Sequence, residues 1–351
     1  MDTRDTPEQA ALRRAARQLS GQLGPRAVAD LDDSARGARL AAAVRDAGWL
    51  ELRDDGGEGP PLASGVEAAI LADGLAGTVA DVAFVGPTLA VDLARRSGAG
   101  HDASVAVAST PDLLGVAVIE GPVTTSALHA VDLPADGCAS AYVLVPEHGG
   151  YRLSRVRMPA DTIEADDGGD LTRRIGLIPA GTPVVDVTDQ RRPLTDDDLA
   201  SWTALALALT SADLVGLMRG VLDLSVGYAA DRRQYGVPVG SFQAVQHLLA
   251  EACCLMEGSI SVALHGSWAV DALAPADARA AGRVAKAYSA RAARTVCETA
   301  LQVHGGIGNT WECMVHVFLR RALLSSQWFG DDGEQLARLE HERLGGPDGL
   351  S

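Results

Sequence analysis

Asp231-Arg-Arg-Gln-Tyr-Gly-Val-Pro-Val-Gly-Ser-Phe-Gln243 is the stretch to which the rest of the chain refers. It sets two adjacent cations, aromatic side chains, two glycines and a proline within 13 residues, between two segments of helical periodicity. Such a composition suits an anion-binding turn. Gly236 and Gly240 let backbone approach a ligand closely, and an arginine fork grips a phosphate in two places. A solvated basic helix end beside a turn is built from the same residues, and the chemistry of the stretch alone leaves both readings open.

C-terminal of this stretch the apolar spacing is helical. Helices are expected over 197–231, 241–272, 276–303, 311–327 and 331–344, connected closely enough to form a bundle. The first follows Thr195 and three aspartates, where a hydroxyl cap and negative charge favour a helix start. Between 104 and 196 the pattern changes to short apolar runs at 104–108, 114–119, 141–145 and 182–187, broken by Pro, Gly and Asp clusters. These read as strands of a small antiparallel domain. The N-terminal part is helical again. Thr6 and Pro7 start a helix over 7–23. A second helix spans 35–47 with Ser34 as its cap and ends at Gly48-Trp49-Leu50. A Gly/Pro-rich loop at 54–65 then leads into a helix over 66–75. The expected domains are therefore 1–103, 104–196 and 197–351, in the order α, β, α.

The chain of 351 residues is 47% apolar, enough for one large core or a few smaller ones, and its 4% aromatic content favours aliphatic helix packing. Thirty basic against 46 acidic residues give a net charge of −16, which argues against nonspecific binding to nucleic acid or an anionic membrane. Cys138, Cys253, Cys254, Cys297 and Cys313 form no C-x-x-C pair and have no matching histidine spacing. Neither a disulfide framework nor a metal site is expected, and a reducing cytoplasm is implied. Cys253 and Cys254, inside a helix, read as small core residues. His265, His304 and His316 show no metal or triad pattern. The polar N-terminus carries no hydrophobic signal region, and no apolar run is expected to reach membrane-spanning length.

Arg232-x-Gln234-Tyr235-Gly236-x-Pro238 followed by Phe242-Gln243 resembles the R-x-Q-F-G-x-P-I-x-x-F-Q signature of acyl-CoA dehydrogenases, in which the arginine contacts the FAD pyrophosphate of a neighbouring subunit. A second match lies some 60 residues on, in Gln302-Val-His-Gly-Gly-Ile-Gly308. On its own, Gly305 or Gly306 suits the left-handed residue that ends a helix. In the family the same pattern meets the adenosine side of FAD. The resemblance thus implies FAD contacts at Arg232, Gln234, Tyr235, Gln243, Gln302, Gly305 and Gly306, with His304 a candidate from its place in the motif. Asn309-Thr-Trp-Glu-Cys-Met-Val-His316 and Phe318-Leu-Arg-Arg-Ala322 are similar to the actinobacterial branch that degrades steroids and other bulky acyl-CoA compounds. The fold implied is α+β: an N-terminal helical domain, a small, reduced middle β domain and a C-terminal helical bundle.

Desaturation of an acyl-CoA requires a base for the α-proton, placed across the substrate from the flavin. Most members of the family carry it as the glutamate of a Tyr-Glu-Gly string; here the string is Trp328-Phe329-Gly330. A minority place a glutamate on the first helix of the bundle, but the matching position, near Leu205, lies in a stretch without acids. Asp331 and Glu312 are the weak candidates left, and both suit helix N-termini. The flavin-wrapping strings of the family's middle domain are not found either. The resemblance therefore implies a subunit of an α2β2 acyl-CoA dehydrogenase that helps bind FAD while a second, related subunit supplies the base, with an acyl-CoA substrate and an electron-transfer flavoprotein as acceptor. A flavin-free scaffold and a homo-oligomer using Asp331 or Glu312 are the competing readings.

Overall fold

The computed structural model describes residues 3–55, 59–100, 104–134, 140–159, 163–165 and 169–344; Cys138 and the centre of the 54–65 loop, residues 56–58, lie outside them. Helix α1 (Pro7–Leu23) starts where the sequence places it. Thr6 Oγ1 accepts from the Gln9 amide at 3.2 Å and Gln9 Oε1 accepts from the Thr6 amide at 3.0 Å, a reciprocal cap with Pro7 in the first turn. Helix α2 (Ser34–Asp46) is capped one residue earlier than expected. Asp33 Oδ1 accepts from the Arg36 amide at 2.9 Å, so Ser34 becomes the first helical residue. Helix α3 (Gly65–Ala76) repeats the reciprocal cap with Ser64 and Glu67. Helix α4 (Val85–Ser97) has no side-chain cap of its own. Its end is held from a distance by Asp132 Oδ2, which accepts from the amides of Phe84 and Gly86 at 3.0 and 2.9 Å.

Seven strands follow: β1 (Ala106–Ser109), β2 (Leu128–Val131), β3 (Ser140–Glu147), β4 (Gly150–Arg157), β5 (Ile163–Ala165), β6 (Arg174–Ile178) and β7 (Val184–Asp186). They form one sheet in the order β5-β6-β2-β1-β3-β4-β7. The sheet is mixed rather than antiparallel, because β1 pairs in parallel with β3, Ala106 opposite Ala141. The parallel pairing arises because β2 takes the other edge of β1, leaving β3 to join from the far side. The apolar run 114–119 is not a strand. It is bridged to the sheet at Ser109 to Val116 and Val118 to Leu144, and Ala117 and Ile119 pack in the core of the sheet.

Helix α5 (Asp196–Asp231) opens the C-terminal bundle, its start fixed by a reciprocal cap of Thr195 and Asp198. It is the central rod, with Ala204 to Met218 buried throughout. Around it lie α6 (Gln243–Ala272), α7 (Pro275–His304), α8 (Val315–Gln327) and α9 (Asp332–Leu344). Helix α8 begins four residues later than expected, because a 3₁₀ turn (Gly305–Asn309) and a further turn intervene. Trp202, Leu205 and Leu209 of α5 share a core with Leu71 and Leu75 of α3 and Leu89 and Leu93 of α4, so the N-terminal helices and the bundle are packed on one axis.

Two expectations are corrected by the bundle. Helices α5 and α6 are each long and apolar enough to cross a membrane by length and composition, contrary to the sequence reading. For α5 the apolar stretch is core, 89% of it buried in this chain; for α6 only 22% is. Cys253 and Cys254 are exposed, not core, because among the described residues no other element covers their face of α6.

Candidate functional site

The C-terminal end of α5 turns at Arg232, whose amide donates to the Tyr228 carbonyl at 2.8 Å and whose carbonyl accepts from the Val239 amide at 2.7 Å. Between them β8 (Arg233–Gln234) and β9 (Val237–Pro238) form a two-residue hairpin. Its tip, Tyr235 and Gly236, has φ of +53° and +82°, both positive as such a hairpin demands. Tyr235 is 94% exposed and meets Phe242 edge to face at 6.4 Å. Gln234 is exposed, its amide nitrogen donating to the Arg233 carbonyl at 2.8 Å. A 3₁₀ turn (Val239–Ser241) then delivers Gln243, the exposed first residue of α6, whose N-terminus has no side-chain cap. The guanidinium of Arg232 is exposed and has no ion-pair partner among the described residues.

The end of α7 comes to the same place. Gly305 terminates it with φ +64° and ψ −143°, a conformation that glycine alone adopts without strain. A Cβ on Gly305 or Gly306 would meet nothing within 4 Å, so the backbone there is open to an approaching group. Gln302, one turn earlier, is exposed. What joins the two segments is Tyr228. Its ring stacks on His304 at 4.3 Å and its hydroxyl lies 3.4 Å from the His304 carbonyl, 76 positions along the chain. The His304 imidazole is itself buried, with Nδ1 2.9 Å from the Ala300 carbonyl. Burial holds its pKa below 6.5, partly offset by that contact.

The position that the resemblance aligns with the family's base is buried. Phe329 is buried, stacked on Trp328 at 5.3 Å and edge-on to Trp202 at 5.7 Å. Its φ is +66°, and both of its backbone groups are tied down: the amide donates to the Leu113 carbonyl at 2.8 Å and the carbonyl accepts from Gln335 Nε2 at 2.5 Å. Leu205, the alternative position, is fully buried. Asp331 accepts from the Glu334 amide at 2.9 Å and so caps α9. Glu312 is exposed in the turn before α8.

A family model described as acyl-CoA dehydrogenase, C-terminal domain, matches residues 205–342. Acyl-CoA dehydrogenase IpdE2 of Mycobacterium tuberculosis is 30% identical over 272 residues, covering 72% of this chain and 80% of that protein. The chain belongs to the acyl-CoA dehydrogenase family. Acyl-CoA dehydrogenase FadE34 of Mycobacterium tuberculosis is 33% identical over 241 residues, 67% of this chain but 32% of FadE34. IpdE2 of Mycolicibacterium smegmatis is 34% identical over 192 residues, 52% of this chain and 58% of that protein. The chain thus spans less than two thirds of the length of these two relatives. Among solved structures, the Tcur3481-Tcur3483 steroid ACAD G363A variant aligns with a TM-score of 0.75 at 22% identity, over 97% of this chain and 99% of the other. The ChsE4-ChsE5 complex from Mycobacterium tuberculosis gives 0.72 at 21%, over 97% and 98%. Identities this low carry the fold alone.

Within this acyl-CoA dehydrogenase fold, a buried charge cluster behind Phe329 was not anticipated from sequence. Asp213 of α5 lies 2.9 Å from Arg173 Nη2 and 2.7 Å from Arg321 Nη2, and accepts from Ser325 Oγ at 2.7 Å. Burial alone would push this carboxyl up; Arg173 and Arg321 instead hold it down at about 2. Lys286 Nζ donates to the carbonyls of Ser325 and Trp328, and the Arg173 guanidinium lies over the Trp328 ring at 5.4 Å. One signal was present in the sequence: Lys286 is the only lysine among 30 basic residues, and it sits in an alanine-rich helix.

Proposed function

We propose that this chain is a subunit of a heteromeric, FAD-dependent acyl-CoA dehydrogenase, of α2β2 type, acting on a bulky acyl-CoA. The observation that carries this reading is a pairing: an exposed edge that joins Arg232, Gln243, Gln302, Gly305 and Gly306, and a buried phenyl ring where the family keeps its base. Arg232 grips the diphosphate of the cofactor, and the open backbone at Gly305 and Gly306 lets the nucleotide come close. Gln243 and Gln302 hydrogen-bond along it, with Gln234 and the Tyr235 ring beside them. The edge is one wall of a site, so the other wall belongs to a second acyl-CoA dehydrogenase-like chain. A flavin held there by Arg232, Gln243 and Gln302 would supply the acceptor for the hydride leaving the β-carbon of the thioester. Removal of the α-proton falls to the partner, since Asp331 is engaged as a helix cap and Glu312 is exposed in the turn before α8.

The bulky thioester is read from the similarity of Asn309–His316 and Phe318–Ala322 to the steroid-degrading branch of the family; the structure described as a steroid ACAD and the ChsE4-ChsE5 complex share the fold. An electron-transfer flavoprotein is the acceptor, and the assembly works in the cytoplasm. Flavin absorbance tests the proposal: expressed alone the chain is expected to be colourless, and co-expressed with its partner subunit to carry FAD. Full activity of the chain alone would overturn the heteromer, and absence of FAD in both preparations would favour a scaffold. Arg232→Ala in the complex is expected to release FAD, whereas unchanged flavin content would remove Arg232 from the site.

A further inference from the structure

A cavity of about 430 Å³ lies between α1, α3, α5 and α6, within the range of small-molecule pockets. Its floor is apolar: Ile70 and Val215 are buried, and Ile260 and Leu264 are half-buried. Thr3 and Asp5, ahead of α1, line it as well. None of Arg232, Gln243, Gln302, Gly305 and Gly306 does, nor do Trp202, Trp328 and Phe329.

Six charged side chains line the cavity, three of each sign: Arg13, Arg17, Arg219, Asp5, Asp73 and Glu257. Four of them answer one another. Both oxygens of Asp5 accept from Arg13, from Nε at 2.9 Å and from Nη2 at 3.1 Å. Arg13 Nη1 donates to Asp73 Oδ2 at 2.9 Å, and Arg219 reaches both oxygens of Asp73 at 3.4 Å. Two guanidiniums thus neutralise two carboxylates.

The remaining two are opposite in sign and stand on different walls, Arg17 on α1 and Glu257 on α6. Among the described residues neither side chain makes a hydrogen bond or an ion pair, and they do not pair with each other. Arg13 holds the Asp5 carboxyl below its usual range, and Arg17 adds to this only through space. Arg17 and Glu257 are both exposed, so a molecule in the cavity can reach them. A carboxylate with an apolar body would satisfy Arg17 and leave Glu257 unanswered. An amine would do the reverse, and an uncharged molecule would answer neither. The ligand that matches every group present carries both charges and an apolar body.

We propose that this cavity binds an apolar amino acid, its carboxylate on the Arg17 guanidinium, its ammonium on the Glu257 carboxylate and its side chain against Ile70, Val215, Ile260 and Leu264. An arginine fork accepts a carboxylate in two places, which favours Arg17 for that end. The site is separate from the cofactor edge and does not depend on the reading of that edge.

The test is calorimetric titration of the purified full chain with L-leucine and with two analogues that each lack one of its charges, 4-methylpentanoate and 3-methylbutan-1-amine. L-leucine is expected to bind about fivefold more tightly than either analogue, the scale of one partly exposed ion pair. Arg17→Gln and Glu257→Gln, both at exposed positions, separate the two contacts. Arg17→Gln should weaken L-leucine and 4-methylpentanoate about fivefold and leave the amine unchanged. Glu257→Gln should weaken L-leucine and the amine by the same factor and leave 4-methylpentanoate unchanged. Failure of L-leucine to bind, an analogue that binds as tightly as L-leucine, or a substitution that affects both analogues alike or neither of them overturns the proposal.

Discussion

Lys286 Nζ lies 2.8 Å from the carbonyl oxygen of Trp328 and donates as well to that of Ser325, so an amine from α7 caps the C-terminal end of α8 from inside the bundle. Burial brings its pKa down from 10.5 to about 7, opposed by Asp213 and reinforced by Arg173. The folded value lies below the unfolded one, so between the two the unfolded chain binds more protons and stability rises with pH. Cys297, pushed by burial from 9.0 to about 12, acts in the opposite sense, and only above pH 9. Thermal denaturation between pH 7 and 9 should therefore show a gain on the order of 2 kcal/mol. Lys286→Met should abolish the slope; a flat profile in the unmodified chain would contradict the burial of a neutral amine.

Asp213 works at the other end of the pH scale. Its folded pKa of about 2 lies below the ordinary 3.8, so its contribution is complete above the unfolded value and is lost as pH falls through 2. Asp213→Asn leaves Arg173 and Arg321 short of their shared anion and should cost about 3–5 kcal/mol in urea denaturation at neutral pH. A loss under about 1 kcal/mol, the scale of an exposed ion pair, would mean that water reaches the cluster.

Gly305 and Gly306 separate strain from access. Gly305→Ala meets no neighbour but must hold φ +64°, ψ −143°, so about 1–3 kcal/mol of stability should be lost. Gly306 has no positive φ and no atom within 4 Å of a Cβ. Gly306→Ala should leave stability unchanged and lower flavin retention in the complex. Equal flavin content in Gly306→Ala and the unmodified complex would show that no nucleotide approaches that backbone.

Phe329→Glu restores the family's residue type without restoring a site. The carboxylate would lie among Trp202, Trp328 and the tied backbone of the turn, at a cost of about 3–5 kcal/mol for an unpaired buried charge. The purified variant should show no dehydrogenase turnover by itself. Measurable turnover from the chain alone would demonstrate that substrate enters this pocket.

Tyr228→Ala removes the stacked ring that joins the two ends of the exposed edge. Flavin content of the complex should fall, with a stability change smaller than that of Phe329→Glu. Retention of full flavin content would mean that α5 and α7 hold the edge without it.

The long helices of the bundle were legible because their signals are local. Thr195 with Asp198, and Pro275 in the first turn of α7, mark helix starts within a few residues of the helices they begin. The convergence of Arg232 with Gly305 was legible through the resemblance, and its geometric agent, Tyr228, was not. Helix α4 has no local mark, because its terminal amides are satisfied by Asp132, 46 and 48 positions away. Strands β2, β4, β5 and β6 escaped for a related reason. Tyr151, Arg152, Ser154 and Arg155 interrupt the apolar character of β4, and β2 is held between β1 and β6 in a pairing that periodicity cannot reveal. The exposure of Cys253 and Cys254 was misread because an apolar helix resembles a buried one whether its cover comes from the same chain or another.

The sealing of Lys286 has a practical side. As the chain's single lysine, it is the only side-chain amine available to acylating dyes, aldehyde cross-linkers or a lysine-specific protease, and the native fold hides it completely. Modification at that position therefore counts molecules that have opened, giving a one-residue reporter of unfolding without any engineered label.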